Sequence, residues 1–236
     1  MNDHTQKGAA YPCFSRQAAG GPSMLWLPVA PACNMQCTHC SRRSDSLSDL
    51  AVSGVFLLPD EAVERVTVAV LRDAPPSCVA VWGPGEPLVN ASTFVVLKKL
   101  AWLYPDLAIT VGTNGLLLPD RLDDLVRSGV RNIVLSLSAA SEKTAVRLYE
   151  WAIYRGKKYT GEDAARLVLQ QQWNGLENAV EAGLSVTVYT ADIAGVNEHE
   201  TAEIKRRAEA VGAAGVVIQP FSESRNERIP RSLLRG

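Results

Sequence analysis

Six short runs rich in β-branched residues recur along the chain, separated by segments of helical spacing, and this alternation narrows the possible folds more than any other feature. The runs are MLWLPV (24–29), CVAVW (78–82), LAITVG (107–112), RNIVLSLS (131–138), LSVTVYT (184–190) and GVVIQPF (215–221). Most are bounded by Gly, Ser, Thr or Pro, as strands are. The intervening segments read as amphipathic helices. PDEAVERVTVAVLRDA opens on Pro59 and acidic residues, LPDRLDDLVRSGV closes at Gly129, and STFVVLKKLAWLY, GEDAARLVLQQQWNGLENAVEAG and EHETAEIKRRAEAVGA carry similar periodicity. Buried strands alternating with helices require a parallel sheet with right-handed crossovers. Six strands are too few for a closed eight-stranded barrel, so the predicted fold is α/β, an open, partial TIM-like (β/α)6 barrel. With 236 residues and 47% hydrophobic composition the chain has material for one core. The expected organisation is a flexible start over 1–10, one domain over 11–221 and a polar, basic tail over 222–236.

The charge balance is nearly even, with a formal net charge of −1. No global field recruits nucleic acid or an anionic membrane, so partners must be recognised locally. No apolar run reaches the length of a membrane span, and MNDHTQKGAAYPC lacks the layout of a secretory signal. These features predict a cytoplasmic protein, without nucleic-acid or membrane partners. Five cysteines are an odd number, and three of them fall within PACNMQCTHCSR (31–42). A reducing compartment argues against a disulfide framework, so these three read as metal ligands.

Cys33, Cys37 and Cys40 form CxxxCxxC directly after the first strand-like run. Three thiolates on one loop suit a corner of an iron–sulfur cubane and leave one iron without a protein ligand. The competing reading is a zinc knuckle completed by His39 or Cys13, although adjacent His39 and Cys40 would strain to share one ion. His39 is otherwise a packing or cluster-shielding side chain.

This CxxxCxxC in a βα chain resembles the radical S-adenosylmethionine (SAM) superfamily, whose members use a [4Fe–4S] cluster to cleave SAM reductively to methionine and a 5′-deoxyadenosyl radical. The resemblance implies that the amino and carboxylate groups of SAM chelate the open iron. WGPGEPL (82–88) looks like the family's Gly-Gly-Glu motif, with Gly83 and Gly85 allowing close backbone approach and Glu86 meeting the SAM ammonium. An ordinary turn is the alternative. Ser136 and Ser138 resemble the family's ribose-contacting position, and TADIAGVNEHE resembles its adenine segment, with Ile193 packing the base. The same stretch also reads as a loop into a helix capped by Asn197. Thr113 and Asn114 in GTNGLLLPD stand at a rim where they could touch SAM or substrate, or simply form a turn.

One branch is closer: the radical SAM domain of the NifB family, which builds the iron–sulfur core of nitrogenase cofactor. YPCFS, VAPACNMQCTHCSRR, GPGEPL, TNGLLLPD and LYEWAIYRGKKYTGEDAA (148–165) carry that similarity, which runs from about 11 to 221. The departures are equally specific. The NifB family's histidine two residues before its N-terminal cysteine is Tyr11 here, its third-strand cysteine falls within Ile109 to Val111, and its paired cysteines beyond the last strand have no counterpart. Cys78 reads as a small buried apolar side chain. Cys13 reads as a vestige, as a ligand to something the substrate brings, or as a catalytic thiol that accepts a methyl group or donates hydrogen. The 148–165 segment is expected to overhang the barrel mouth, where Tyr154, Arg155 and Tyr159, with Tyr149, Trp151, Lys157 and Lys158, could bind an anionic, partly apolar substrate. A solvated basic turn with aromatic anchors is the blander alternative. The resulting expectation is a radical SAM enzyme, supplied by a reductant such as ferredoxin or flavodoxin, that takes hydrogen from an unidentified small molecule or peptide. The alternatives are a NifB-type cofactor core synthase and a non-catalytic cluster-binding or electron-transfer module.

Overall fold

The computed structural model describes residues 24–40 and 56–221. Six parallel strands form one sheet in the order β1 (Met24–Leu27), β3 (Cys78–Val81), β4 (Ala108–Thr113), β5 (Asn132–Ser136), β8 (Ser185–Asp192) and β9 (Gly215–Pro220). All six strand-like runs of the sequence are present. Within the described residues β1 and β9 are the sheet's two edges, so the barrel is open and partial, as expected. β3 is buried at every position, because a parallel sheet curled into a partial barrel covers both faces of its inner strands.

Helices α1 (Pro59–Val70), α2 (Ala91–Leu103), α3 (Leu118–Arg127), α5 (Gly161–Glu181) and α6 (Thr201–Val211) occupy the predicted amphipathic segments. Pro59 opens α1, where its missing N–H costs nothing, and Glu61 accepts from Leu58 N at 2.7 Å. Gly212 closes α6 at φ 102°, the left-handed position that favours glycine. Leu97, Leu100, Leu125 and Leu176 from the helices meet Leu27, Val81, Val111, Leu135 and Val188 from the strands in one core. No helix among the described residues is long and apolar enough to cross a membrane.

Two elements were not anticipated. A short helix, α4 (Glu142–Leu148), follows β5 and is capped by Ser141 Oγ, which accepts from Thr144 N at 3.3 Å. More consequentially, 148–165 has strand structure of its own. It forms a hairpin, β6 (Tyr149–Tyr154) and β7 (Lys157–Thr160), which pairs antiparallel with β2 (Met35–Cys37) in a second, three-stranded sheet and then leads into α5. Its two-residue turn, Arg155-Gly156, has φ 49° and 77°, the doubly left-handed geometry that matches strand twist. Arg at the first of these positions, in place of the usual Asn or Asp, hid the turn from sequence reading.

Candidate SAM and cluster site

The cysteine loop leaves the carboxyl end of β1 and is held from both sides. On one side, residues 30–32 run against the Gly-Pro-Gly-Glu loop: Ala30 N donates to Gly83 O at 3.1 Å, Gly85 N to Ala30 O at 2.6 Å and Glu86 N to Ala32 O at 2.8 Å. Asn90 adds a pair of amide bonds, donating to Ala32 O at 2.9 Å and accepting from Ala32 N at 3.3 Å. Gly85 sits so close that a Cβ would lie 2.1 Å from Ala32 O. Its close approach is therefore to the backbone of the cysteine loop itself. On the other side, β2 pairs with β6 through Met35–Ala152, Gln36–Trp151 and Cys37–Tyr149, Ile153 N donates to Asn34 O at 2.7 Å and Thr38 N to Leu148 O at 2.9 Å. The second sheet is thus built onto the cluster loop.

This clamp fixes the three thiols. Cys33 is 9% exposed, Cys37 ends β2 half-buried, and a turn closed by Cys40 N donating to Cys37 O at 3.1 Å brings half-buried Cys40 back toward them. Among the described residues no three His, Cys, Asp or Glu side chains converge as a single metal ion requires. A cubane instead takes one thiolate at each of several irons, and three buried or half-buried thiols on a rigid loop fit it. His39 packs edge-to-face on Phe221 at 5.7 Å, and burial lowers its pKa, favouring a neutral ring.

Glu86 is 2% exposed. Its carboxylate accepts from Leu88 N at 3.0 Å, from Thr113 Oγ1 at 2.7 Å and from Asn114 N at 2.6 Å. These donors satisfy a charge that burial alone would penalise, and they tie the Gly-Pro-Gly-Glu loop to the end of β4. Thr113 is buried as well, and its hydroxyl also accepts from Gly115 N at 3.1 Å; it braces the rim from within. Asn114 stays half-buried with its amide over the cysteine loop, 2.8 Å from Asn34 Oδ1.

At the far rim, Ser138 Oγ accepts from Ala191 N at 3.1 Å, and half-buried Ser136 offers its carbonyl to Gln172 Nε2 at 3.0 Å. Asn197 does not cap a helix with its side chain. Fully buried, it donates to Ser138 O at 2.8 Å and Ala191 O at 2.7 Å and accepts from Ile193 N at 2.7 Å. It therefore sets the path of the Ile193 segment, the expected adenine wall, against the end of β5.

The residues expected to bind substrate lie around the hairpin turn. Arg155, 73% exposed in its side chain, pairs with Asp120 of α3 at 2.9 Å and stacks on Tyr154 at 5.0 Å; Lys157 lies 4.8 Å over Tyr159. The blander reading of this segment, a solvated basic turn with aromatic anchors, describes these contacts. Tyr149 is buried beside Cys37, and burial raises its phenol above the ordinary range. Cys78 is buried as expected, but it is disulfide-bonded, against the expectation of no disulfide. Cys13 also lies outside them. Sequence reading missed Asn34, Asn90 and Gln172. The last donates to Asn114 O at 2.9 Å and lies 3.3 Å from the Tyr149 hydroxyl, and its only sequence signal is a polar residue on the buried stripe of α5.

Residues 27–208 match the Radical SAM superfamily. The chain belongs to that superfamily. Its members are enzymes that use a [4Fe–4S] cluster and SAM, and the chain is NifB-like within it. It is 34% identical over 210 residues to the FeMo cofactor biosynthesis protein NifB of Klebsiella pneumoniae, covering 88% of this chain and 45% of that protein. The NifB of Rhizobium meliloti (strain 1021) is 32% identical over 219 residues, covering 91% and 44%. The chain therefore spans less than half the length of these relatives. Among solved structures, anSMEcpe with bound AdoMet covers 84% of this chain and 51% of its own at TM-score 0.55 and 17% identity. Methylornithine synthase (PylB) covers 85% and 54% at 0.53 and 15%. Both share the fold.

Proposed function

We propose that this chain binds one [4Fe–4S] cluster on Cys33, Cys37 and Cys40, holds SAM across the strand ends from Gly83–Glu86 to Ile193, and takes hydrogen from a small organic or peptide substrate. The observation that carries this reading is the double clamp: the cysteine loop is fastened to the Gly-Pro-Gly-Glu loop by three backbone bonds and to β6 by strand pairing. When bound, the cluster supplies the electron that cleaves SAM to methionine and a 5′-deoxyadenosyl radical. The protein's own part is positional. Glu86, Thr113 and Asn114 keep the ends of β3 and β4 in register, and Asn197 keeps the Ile193 segment closed against β5. Ser136 and Ser138 line the rim on the ribose side. A reductant such as ferredoxin or flavodoxin, acting in the cytoplasm, completes the reaction.

Anaerobic reconstitution should give about four irons per chain, and reduction with SAM should release 5′-deoxyadenosine. Alanine at Cys33, Cys37 or Cys40 should abolish both. Four irons without 5′-deoxyadenosine would overturn the catalytic reading, and undiminished iron in Cys37→Ala would overturn the ligand set.

The NifB likeness favours a second reading, a cofactor core synthase that joins clusters. It requires iron well beyond one cluster per chain. The positions where the NifB family's third-strand cysteine would fall are filled by buried Ile109, Thr110 and Val111, which weighs toward the first reading.

A further inference from the structure

Asn34 lies between two of the cluster-ligand candidates and is 3% exposed. Its side-chain orientation follows from its neighbours. Asn114 Oδ1 accepts from Leu116 N at 3.0 Å, so Asn114 Nδ2 must face the cysteine loop, where it donates to Asn34 Oδ1 at 2.8 Å and stands 4.0 Å from Cys33 Sγ. That assigns the carbonyl of Asn34 and turns its Nδ2 the other way. Asn114 is itself immobilised, with its N–H on Glu86 Oε2 at 2.6 Å and its carbonyl under Gln172 Nε2 at 2.9 Å. The Asn34 Nδ2 atom is buried and has no hydrogen-bond partner. A buried amide left unpaired costs roughly 1–3 kcal/mol. Asn34 follows Cys33 directly and precedes Cys37 by three residues on the same loop, so the acceptor that the chemistry of this loop offers it is anionic sulfur.

We infer that the Asn34 and Asn114 side-chain amides act as a donor pair to the sulfur atoms of the cluster, Asn114 toward Cys33 and Asn34 toward a neighbouring thiolate or sulfide, and thereby raise its reduction potential. Donated hydrogen bonds favour the more negative, reduced cluster, and hydrogen bonds to sulfur are among the determinants of such potentials. Both residues are positioning residues. The inference rests on the ligand assignment proposed above and adds to it a control on how readily the cluster accepts its electron.

The test is the midpoint potential of the reconstituted full chain without SAM, read by EPR during titration with dithionite. Asn34→Leu and Asn34→Asp, each with wild-type iron content, should both shift it to more negative values. The expected change is about tenfold in the reduction equilibrium, about 59 mV for a one-electron couple. An unchanged or more positive midpoint in either variant overturns the inference, as does a variant that weakens SAM binding while leaving the SAM-free potential in place. Should both variants fail to fold or load, the wild type decides. With asparagine labelled by 15N at the side-chain amide only, the reduced, SAM-free cluster should show a 15N hyperfine coupling, and its absence overturns the inference. A wild type that takes up no iron overturns the ligand assignment and the inference together, whereas normal loading with an unmoved potential overturns only the latter.

Discussion

Alanine at Gly85 should destabilise the cluster-free chain by about 2–6 kcal/mol. A Cβ there would stand 2.1 Å from Ala32 O, 2.6 Å from Ala32 C and 2.7 Å from Ala30 O. All three neighbours are backbone, so no side-chain rotation relieves the overlap. The two loops must separate by roughly 1 Å, a forced rearrangement of the kind that costs about 1–3 kcal/mol in a packed interior. Separation also stretches the bonds from Gly85 N to Ala30 O and from Glu86 N to Ala32 O, now 2.6 and 2.8 Å, each worth about 0.5–1.5 kcal/mol. Urea unfolding followed by circular dichroism measures the sum. With a slope near 2–3 kcal/mol/M, the midpoint should fall by about 1–2 M. Because the displaced stretch ends at Cys33, iron content after reconstitution should fall as well. Gly215→Ala is the control. A Cβ there has nothing within 4 Å, and stability should change by no more than about 0.5 kcal/mol. A Gly85→Ala chain with the wild-type midpoint and full iron would show that the contact between these loops does not hold the cysteine loop.

Asn197→Ala leaves Ser138 O, Ala191 O and Ile193 N without their partner; it should cost about 3 kcal/mol and weaken SAM binding to the loaded enzyme, measured by calorimetry, and wild-type stability would contradict the stitching role. Burial raises the Glu200 carboxyl, but hydrogen bonds from Ser141 Oγ and Ala140 N, with others, more than offset this and hold its pKa below the ordinary value of 4.5. A carboxyl depressed on folding contributes stability in full above pH about 4.5, and that contribution is lost as pH falls through the lower folded value. The gap in stability between wild type and Glu200→Gln should therefore close in acid, and a gap that is constant from pH 7 to pH 3 would refute the assignment. Arg155→Ala removes an exposed ion pair with Asp120 and should cost less than about 1 kcal/mol, while substrate turnover, once a substrate is known, should be nearly unchanged if the hairpin turn is scaffold.

The amino-acid sequence by itself determined the six strands, five of the helices and the three candidate thiolate ligands. Each of these is local. A strand buried on both faces must be apolar along its length, as at Cys78–Val81, and thiolate chemistry is written in the residue type and its spacing. Tertiary structure alone decided how the loops meet. Nothing near Met35 in the chain announces Ala152 as its partner across the second sheet, because that pairing depends on where β5 and α4 deliver the hairpin. The same holds for the polar residues at the site. Glu86, Asn34, Asn114, Gln172 and Asn197 look in sequence like loop or helix-surface residues. Once buried, each amide or carboxylate must take whichever backbone or side-chain group lies within hydrogen-bonding reach. Leu88 apart, those groups come from elements 27 to 81 residues away for the Glu86, Asn34 and Asn114 side-chain contacts across the site, distances over which composition and periodicity carry no information.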